Sequence, residues 1–264
     1  MVAVTEPPAR SFNVGGVIGA GFQLIARAPL QLLMLAVVLA FLPAIGQVWL
    51  VARIMKWAAP IVGAPDYWLG LLREMALLQL AGVVVAGVNW LFQGSVASLA
   101  VGQPTAGLVE PPARLLARFP QLFVTGVISN VCVGLATYAL IVPGLLLGLA
   151  WCAAPAVAGV ESHGVFGALK RSADLTRGKR WKLFVLLLLF VLTRLVVIFG
   201  VRFASGIPSP LQANTGPAWL LFGVQPGISA MLSLVYAAVM ACAYLELRRL
   251  TDGVAVGDLA ATFD

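Results

Sequence analysis

Three groups of polar side chains in this sequence have types and spacings that could do chemistry. The first lies inside apolar stretches: Arg194, Asn130, Asn89 and Glu74. A guanidinium in an apolar run needs a protein partner or water, and an asparagine at similar depth offers an acceptor. The second is a crowd of cations, Lys170, Arg171, Arg177, Lys179, Arg180 and Lys182, six within thirteen residues. Such clusters hold phosphate-bearing head groups. The third is a pair of carboxylates at the ends of apolar runs, Glu161 and Glu246. Glu161 stands beside His163 and near the cations, and Glu246 stands three residues before Arg249, the spacing of an ion pair one helical turn apart.

Catalytic patterns are missing. Gly178-Lys179 lacks the glycine five residues upstream that a phosphate loop needs, and there is no Gly-x-Ser-x-Gly elbow. The single histidine and a neighbouring carboxylate do not make a two-histidine metal site. Cys132, Cys152 and Cys242 sit singly in apolar stretches, as small packing residues do. No catalytic residue, cofactor or metal ligand is therefore expected.

The elements that position these side chains follow from composition. Of the 264 residues, 61% are hydrophobic and 10% charged, and the mean hydropathy is +0.99. Ordinary soluble domains carry about a quarter charged residues. The expected fold class is an all-α integral membrane protein, a single polytopic domain over residues 1–264 with a short tail at 246–264. Six spans are expected at roughly 29–51, 70–97, 120–142, 144–162, 182–204 and 218–245, each long enough for a hydrocarbon core of about 30 Å. Pro143-Gly144 marks a turn between spans three and four. "GIPSPLQANTGP" at 206–217 reads as a breaker-rich loop, and "KWAAPIVGAPDYWLG" at 56–70 as a loop with Trp57, Tyr67 and Trp68 at an interface. The opening "MVAVTEPPARSF" lacks the pattern of a cleaved signal, so span one is expected to act as an uncleaved anchor.

With six spans, both termini share a side with the loops near 98–119 and 163–182. That side carries twelve lysines and arginines against four on the other. The positive-inside rule then places both termini in the cytoplasm. The net charge of +7 flanks spans instead of forming a soluble basic face, so the expected partners are anionic lipid head groups, a membrane-protein partner or a homo-oligomer, and not nucleic acid.

The cation cluster has structure of its own. Val165, Phe166, Leu169, Ala173 and Leu175 fall on one helical face and Lys170, Arg171, Asp174 and Arg177 on another, with Ser162 placed to cap the start and Gly178 the end. Such a helix lies in the head-group layer, its apolar face dipped inward. Related patterns precede span one (14–35) and span three (110–126). The chain thus reads as three transmembrane hairpins, each preceded by a cytoplasmic in-plane amphipathic helix.

Arg194 falls about thirteen residues, roughly 20 Å, beyond Trp181. It is expected to face protein, with Asn130 the first candidate partner and Glu74 reachable by snorkelling outward. A structural hydrogen bond, a water-filled path and a lipid-phosphate contact are its three readings. Span two is polar for its depth, and small residues recur every four positions at Gly126, Asn130 and Gly134, at Gly144 and Gly148, and at Ser229, Ser233, Ala237 and Ala241, as close helix packing requires.

Two stretches carry a family resemblance. "PGLLLGLAWCAAPAVAGVESHGVFGALKRSADLTRGKRWKLF" (143–184) has a Pro-Gly turn, a span-end glutamate, an Ala-Leu-x-x-Ser helix and Arg-Gly before a Trp-initiated span. "YLELRRLTDGVAVGDLAATFD" (244–264) has a Tyr-x-Glu-Leu-Arg exit and a short acidic helix. Together they resemble the bacterial and archaeal six-helix membrane-domain family that sometimes accompanies glycerophosphodiester phosphodiesterase domains, and related small inner-membrane proteins. The resemblance implies a six-helix domain in the cytoplasmic membrane and carries no catalytic residues over. Glu161, Ser172, Gly178, Glu246 and Arg248 match the motifs, as architecture. The leading expectation is a non-enzymatic inner-membrane protein that organises lipids or partner proteins through basic cytoplasmic interfacial helices. The alternatives are a small transporter or channel with a midplane polar site near Arg194, and an integral lipid-modifying enzyme.

Overall fold

The computed structural model describes residues 12–58, 67–102, 110–161, 163–204 and 223–252, and among these it is helical with no strand. In chain order the helices are α1 (Val14–Arg27), α2 (Pro29–Ala36), which passes through a π-helical turn at Val37–Phe41 into α3 (Leu42–Ala58), α4 (Tyr67–Val101), α5 (Glu110–Ala139), α6 (Ile141–Trp151), α7 (Ala154–Val160), α8 (Val165–Thr176), α9 (Arg180–Ala204) and α10 (Gln225–Asp252). Among the described residues, six segments are long and apolar enough to cross a membrane: Pro29–Arg53, Leu72–Val101, Phe119–Ala139, Ile141–Val160, Arg180–Val201 and Gln225–Asp252. They coincide with the expected spans to within a few residues at most ends. The expected loop at 206–217, the start of the sixth expected span, most of the loop at 56–70, the tail beyond Asp252 and Ser162 lie outside the described residues.

The core forms where α4 and α10 meet α5, α7 and α1. Phe92, Val96, Leu122, Val157, Val239, Tyr244 and Leu247 are fully buried there. One close approach depends on glycine. A Cβ on Gly159 would stand 2.6 Å from the Gly94 carbonyl oxygen and 2.8 Å from its Cα, so α4 and α7 touch backbone to backbone.

Several breaks differ from the sequence expectation. Spans three and four separate at Leu140, which is extended at φ −157° and ψ 128°, and not at Pro143-Gly144. Pro143 is the third residue of α6, where its missing N–H has no intrahelical partner to lose. Gly144 serves the hairpin instead, since a Cβ there would fall 2.6 Å from Thr137 Cα. Span four is two helices, interrupted at Cys152-Ala153 and restarted with Pro155 in the first turn of α7. The pattern before span three and the span itself form one helix, because α5 runs unbroken through Pro120. The cap of α8 is Gly164, not Ser162. Gly178 does end the connector, with φ 76° in the left-handed region that favours glycine.

The expected apolar face of α8 is divided: Leu169 and Leu175 pack on protein and Phe166 does not. Ala168, Leu169, Ser172, Leu175 and Thr176 are buried, against α5, α6 and α7, whereas Phe166 is 74% exposed. Ser172 Oγ donates to the Ala150 carbonyl at 2.8 Å, which ties α8 to the last turn of α6. By contrast α9 is nearly bare. Leu183 and Leu186 are buried near its start, and Phe190 meets Tyr236 edge to face at 5.4 Å between ring centroids. Beyond that point most of its side chains are exposed.

Candidate functional site

Among the described residues, the densest polar assembly gathers where α7 and α10 end beside α8. Helix α7 stops at Val160, and Glu161 turns extended (φ −91°, ψ 146°), which swings its carboxylate toward α8 and α10. The side chain is only 9% exposed. Tyr244 donates its hydroxyl to Glu161 Oε1 at 2.7 Å. On the other oxygen, Oε2, converge His163 Nε2 at 2.9 Å and Arg171 Nε at 3.3 Å. Arg171 also donates through Nη2 to Asp252 Oδ2 at the end of α10. Arg248 completes the ring, its Nε 4.0 Å from Glu161 Oε1 and 3.6 Å from Asp252 Oδ2. Those distances are beyond hydrogen bonding, and Arg248 Nε and Nη1 are buried without a hydrogen-bond partner among the described residues. Arg248 is held by Coulomb attraction to two carboxylates.

The cluster joins two arginines to two carboxylates, so its charges balance. Burial weakens the Arg171 guanidinium, but Asp252 and Glu161 outweigh it and raise its pKa above the ordinary arginine value. Tyr244, Arg248 and Asp252 stand four residues apart in succession, which places hydroxyl, guanidinium and carboxylate on one stripe of α10. That periodicity is the signal that sequence reasoning passed over. Its expected pair, Glu246 with Arg249, is not formed among the described residues: Arg249 is exposed and Glu246 lies on another face of the helix from the Tyr244 stripe.

The six cations divide into three sets. Arg171 belongs to the ion-pair cluster, Lys179 Nζ donates to Thr251 Oγ1 at 3.1 Å, and Lys182 Nζ donates to the Phe12 carbonyl at 3.0 Å. These bind protein, contrary to the expectation that all six face head groups. Burial lowers the Lys179 pKa below the ordinary lysine value, against the pull of Glu246 and Asp252. Arg180 is half-buried with its Nε lacking a hydrogen-bond partner. Lys170 and Arg177 are exposed, close in sequence to Phe166 and to Trp181, which is 75% exposed.

The mid-span residues do not come together as expected. Arg194 is exposed on α9 and forms no hydrogen bond or ion pair among the described residues. It does not meet Asn130: α9 packs chiefly beside α10, α6 and α1, whereas the Asn130 amide bonds within α5. Glu74 is buried and paired with Arg73, whose Nη2 lies 2.9 Å from Glu74 Oε1. Asn89 is exposed and accepts from Gln93 Nε2 at 3.5 Å. Asn130 donates its amide to the Gly126 carbonyl at 2.8 Å and lines an open groove of about 300 Å³ between α4 and α5, with Gln79, Gly82, Gly134 and Tyr138. Among the described residues no group of three His, Cys, Asp or Glu side chains is placed to hold a metal ion. No family model, curated protein or solved structure matches this chain.

Proposed function

We propose that the protein is a non-enzymatic, multi-pass protein of the bacterial cytoplasmic membrane, with both termini cytoplasmic, that organises anionic lipid at its basic end. It consists of three hairpins whose cytoplasmic ends carry α1, the first part of α5 and α8 as interfacial elements. The observation that carries this reading is the docking of α8. The Glu161 cluster and the Ser172 hydrogen bond fix the helix to the ends of the spans, leaving Lys170, Arg177, Phe166 and Trp181 outward. An aromatic and cationic fringe along α8 and the start of α9 is the make-up of a head-group contact. The twelve-to-four distribution of cations supports the orientation, and the family resemblance of 143–184 and 244–264 supports the membrane.

The reading is tested on the whole protein in nanodiscs of mixed neutral and anionic phospholipid, by measuring the anionic fraction that co-purifies. Each cation near the surface contributes about 1 kcal/mol. Lys170→Gln with Arg177→Gln is therefore expected to reduce the enrichment clearly, and added salt to reduce it further. Enrichment that ignores both changes refutes the proposal.

A further inference from the structure

Two exposed surfaces of this chain lie at the same depth and complement one another. Arg194 stands fourteen residues into α9 from Arg180, about 21 Å along the span and about 9 Å short of its far interface. It has no partner among the described residues, yet a guanidinium facing hydrocarbon is costly. Val191, one turn before it, and Leu195, the next residue, are exposed as well.

The groove between α4 and α5 offers what that face lacks. Gly82 and Gly134 form its walls, and a Cβ on either would meet nothing within 4 Å, so the backbones are open to close approach. Asn130 spends its amide on the Gly126 carbonyl, which leaves Oδ1 as an acceptor. Gln79 and Tyr138 are exposed and add acceptor oxygens to the same groove. Packing of Gly87 on Phe123 and of Gly126 on Trp90 fixes the register of α4 against α5. In that register Asn130 lies about 17 Å and Tyr138 about 28 Å from Phe119, where span three begins, with Gln79 near the level of Tyr138. Arg194, at about 21 Å, falls between them. An all-donor guanidinium thus matches a groove of acceptors at its own depth, while the neighbours of α9 in its own chain are α10, α6 and α1.

The geometry points to a second copy of this chain as the occupant: the Arg194 face of α9 docks in the α4–α5 groove of a neighbouring molecule, and Arg194 bonds to Asn130, Gln79 or Tyr138 there. The contact joins two different surfaces, so it is heterologous unless both seats are filled reciprocally.

The test uses full-length chains in which Cys132, Cys152 and Cys242 are replaced by alanine. One chain carries Val131→Cys in the groove and another Val191→Cys on α9. The two are reconstituted together at low density in liposomes and oxidised. A disulfide joining 131 to 191 is expected in the mixture, well above the yield from either chain alone. Adding Arg194→Leu to the α9 chain should lower that yield roughly three- to thirtyfold, the range of an interhelical hydrogen bond in a membrane, with melting in detergent unchanged. Three results overturn the proposal: single-molecule counting that finds monomers at every density, a yield indifferent to Arg194→Leu, or predominant 191–191 cross-links, which would mean α9 pairing with α9. A groove filled by lipid or by a foreign helix gives the first of these.

Discussion

Glu161→Gln is the substitution that most directly tests how the basic end is built. The amide keeps the shape of the carboxylate and can still accept from Tyr244, so that contact is weakened and not deleted. What disappears is the negative charge 3.3 Å from Arg171 Nε and 4.0 Å from Arg248 Nε. Removing one partner of a fully buried ion pair costs about 3–5 kcal/mol. Here the Arg171 and Arg248 side chains are 26% and 15% exposed, and Asp252 still faces both. The expected loss is therefore smaller, about 2–3 kcal/mol. Equilibrium unfolding in mixed lipid–detergent micelles, followed by helical circular dichroism, measures it. Hydrogen exchange of the amides at 165–176 adds a local readout, because α8 should lose protection while the α4–α7 contact keeps its own. Glu246→Gln is the control, expected within about 0.5 kcal/mol of the parent. A loss below that same margin for Glu161→Gln, or unchanged exchange of α8, refutes the view that this cluster clamps α8 to α10.

Gly159→Ala should cost at least about 1–3 kcal/mol, as overpacking does, because the new methyl meets Gly94 backbone that cannot rotate away. Gly200→Ala, on open α9, should be neutral or gain up to about 1 kcal/mol from helix propensity; unfolding free energies of the two variants side by side make the comparison. Arg194→Leu should change the stability of the detergent-solubilised protein by less than about 0.5 kcal/mol, since its side chain is exposed and unpaired. A loss of several kcal/mol in melting would mean that Arg194 is buried against a neighbouring span.

The spans were legible because hydropathy over twenty or more residues is a one-dimensional property. Their breaks were less so. Pro143 draws the eye as a breaker, but a proline in the first turn of a helix breaks nothing, and the turn sits one helical step earlier at Leu140. The pattern at 110–126 was set apart from span three, and one helix carries through both, Pro120 included. Glu161 could be singled out as a span-end carboxylate near cations. Its partner Tyr244, 83 residues away, could not. Arg194 was misplaced for a related reason: its depth along the helix follows from counting residues, while the direction it faces depends on which neighbours α9 adopts.

The bareness of α9 makes its angle a property of the bilayer. Its 22-residue span is about 33 Å long, slightly more than a hydrocarbon core of about 30 Å, and a tilt of about 25° absorbs the difference. The 28 residues of α10 exceed that core further, but half of its apolar window is packed inside the bundle, so its neighbours set its inclination. In a thinner membrane α9 leans first, pivoting where Phe190 rests on Tyr236. Arg194, one turn beyond that pivot, swings with it, so membrane thickness sets how far this charge stands from the rest of the molecule.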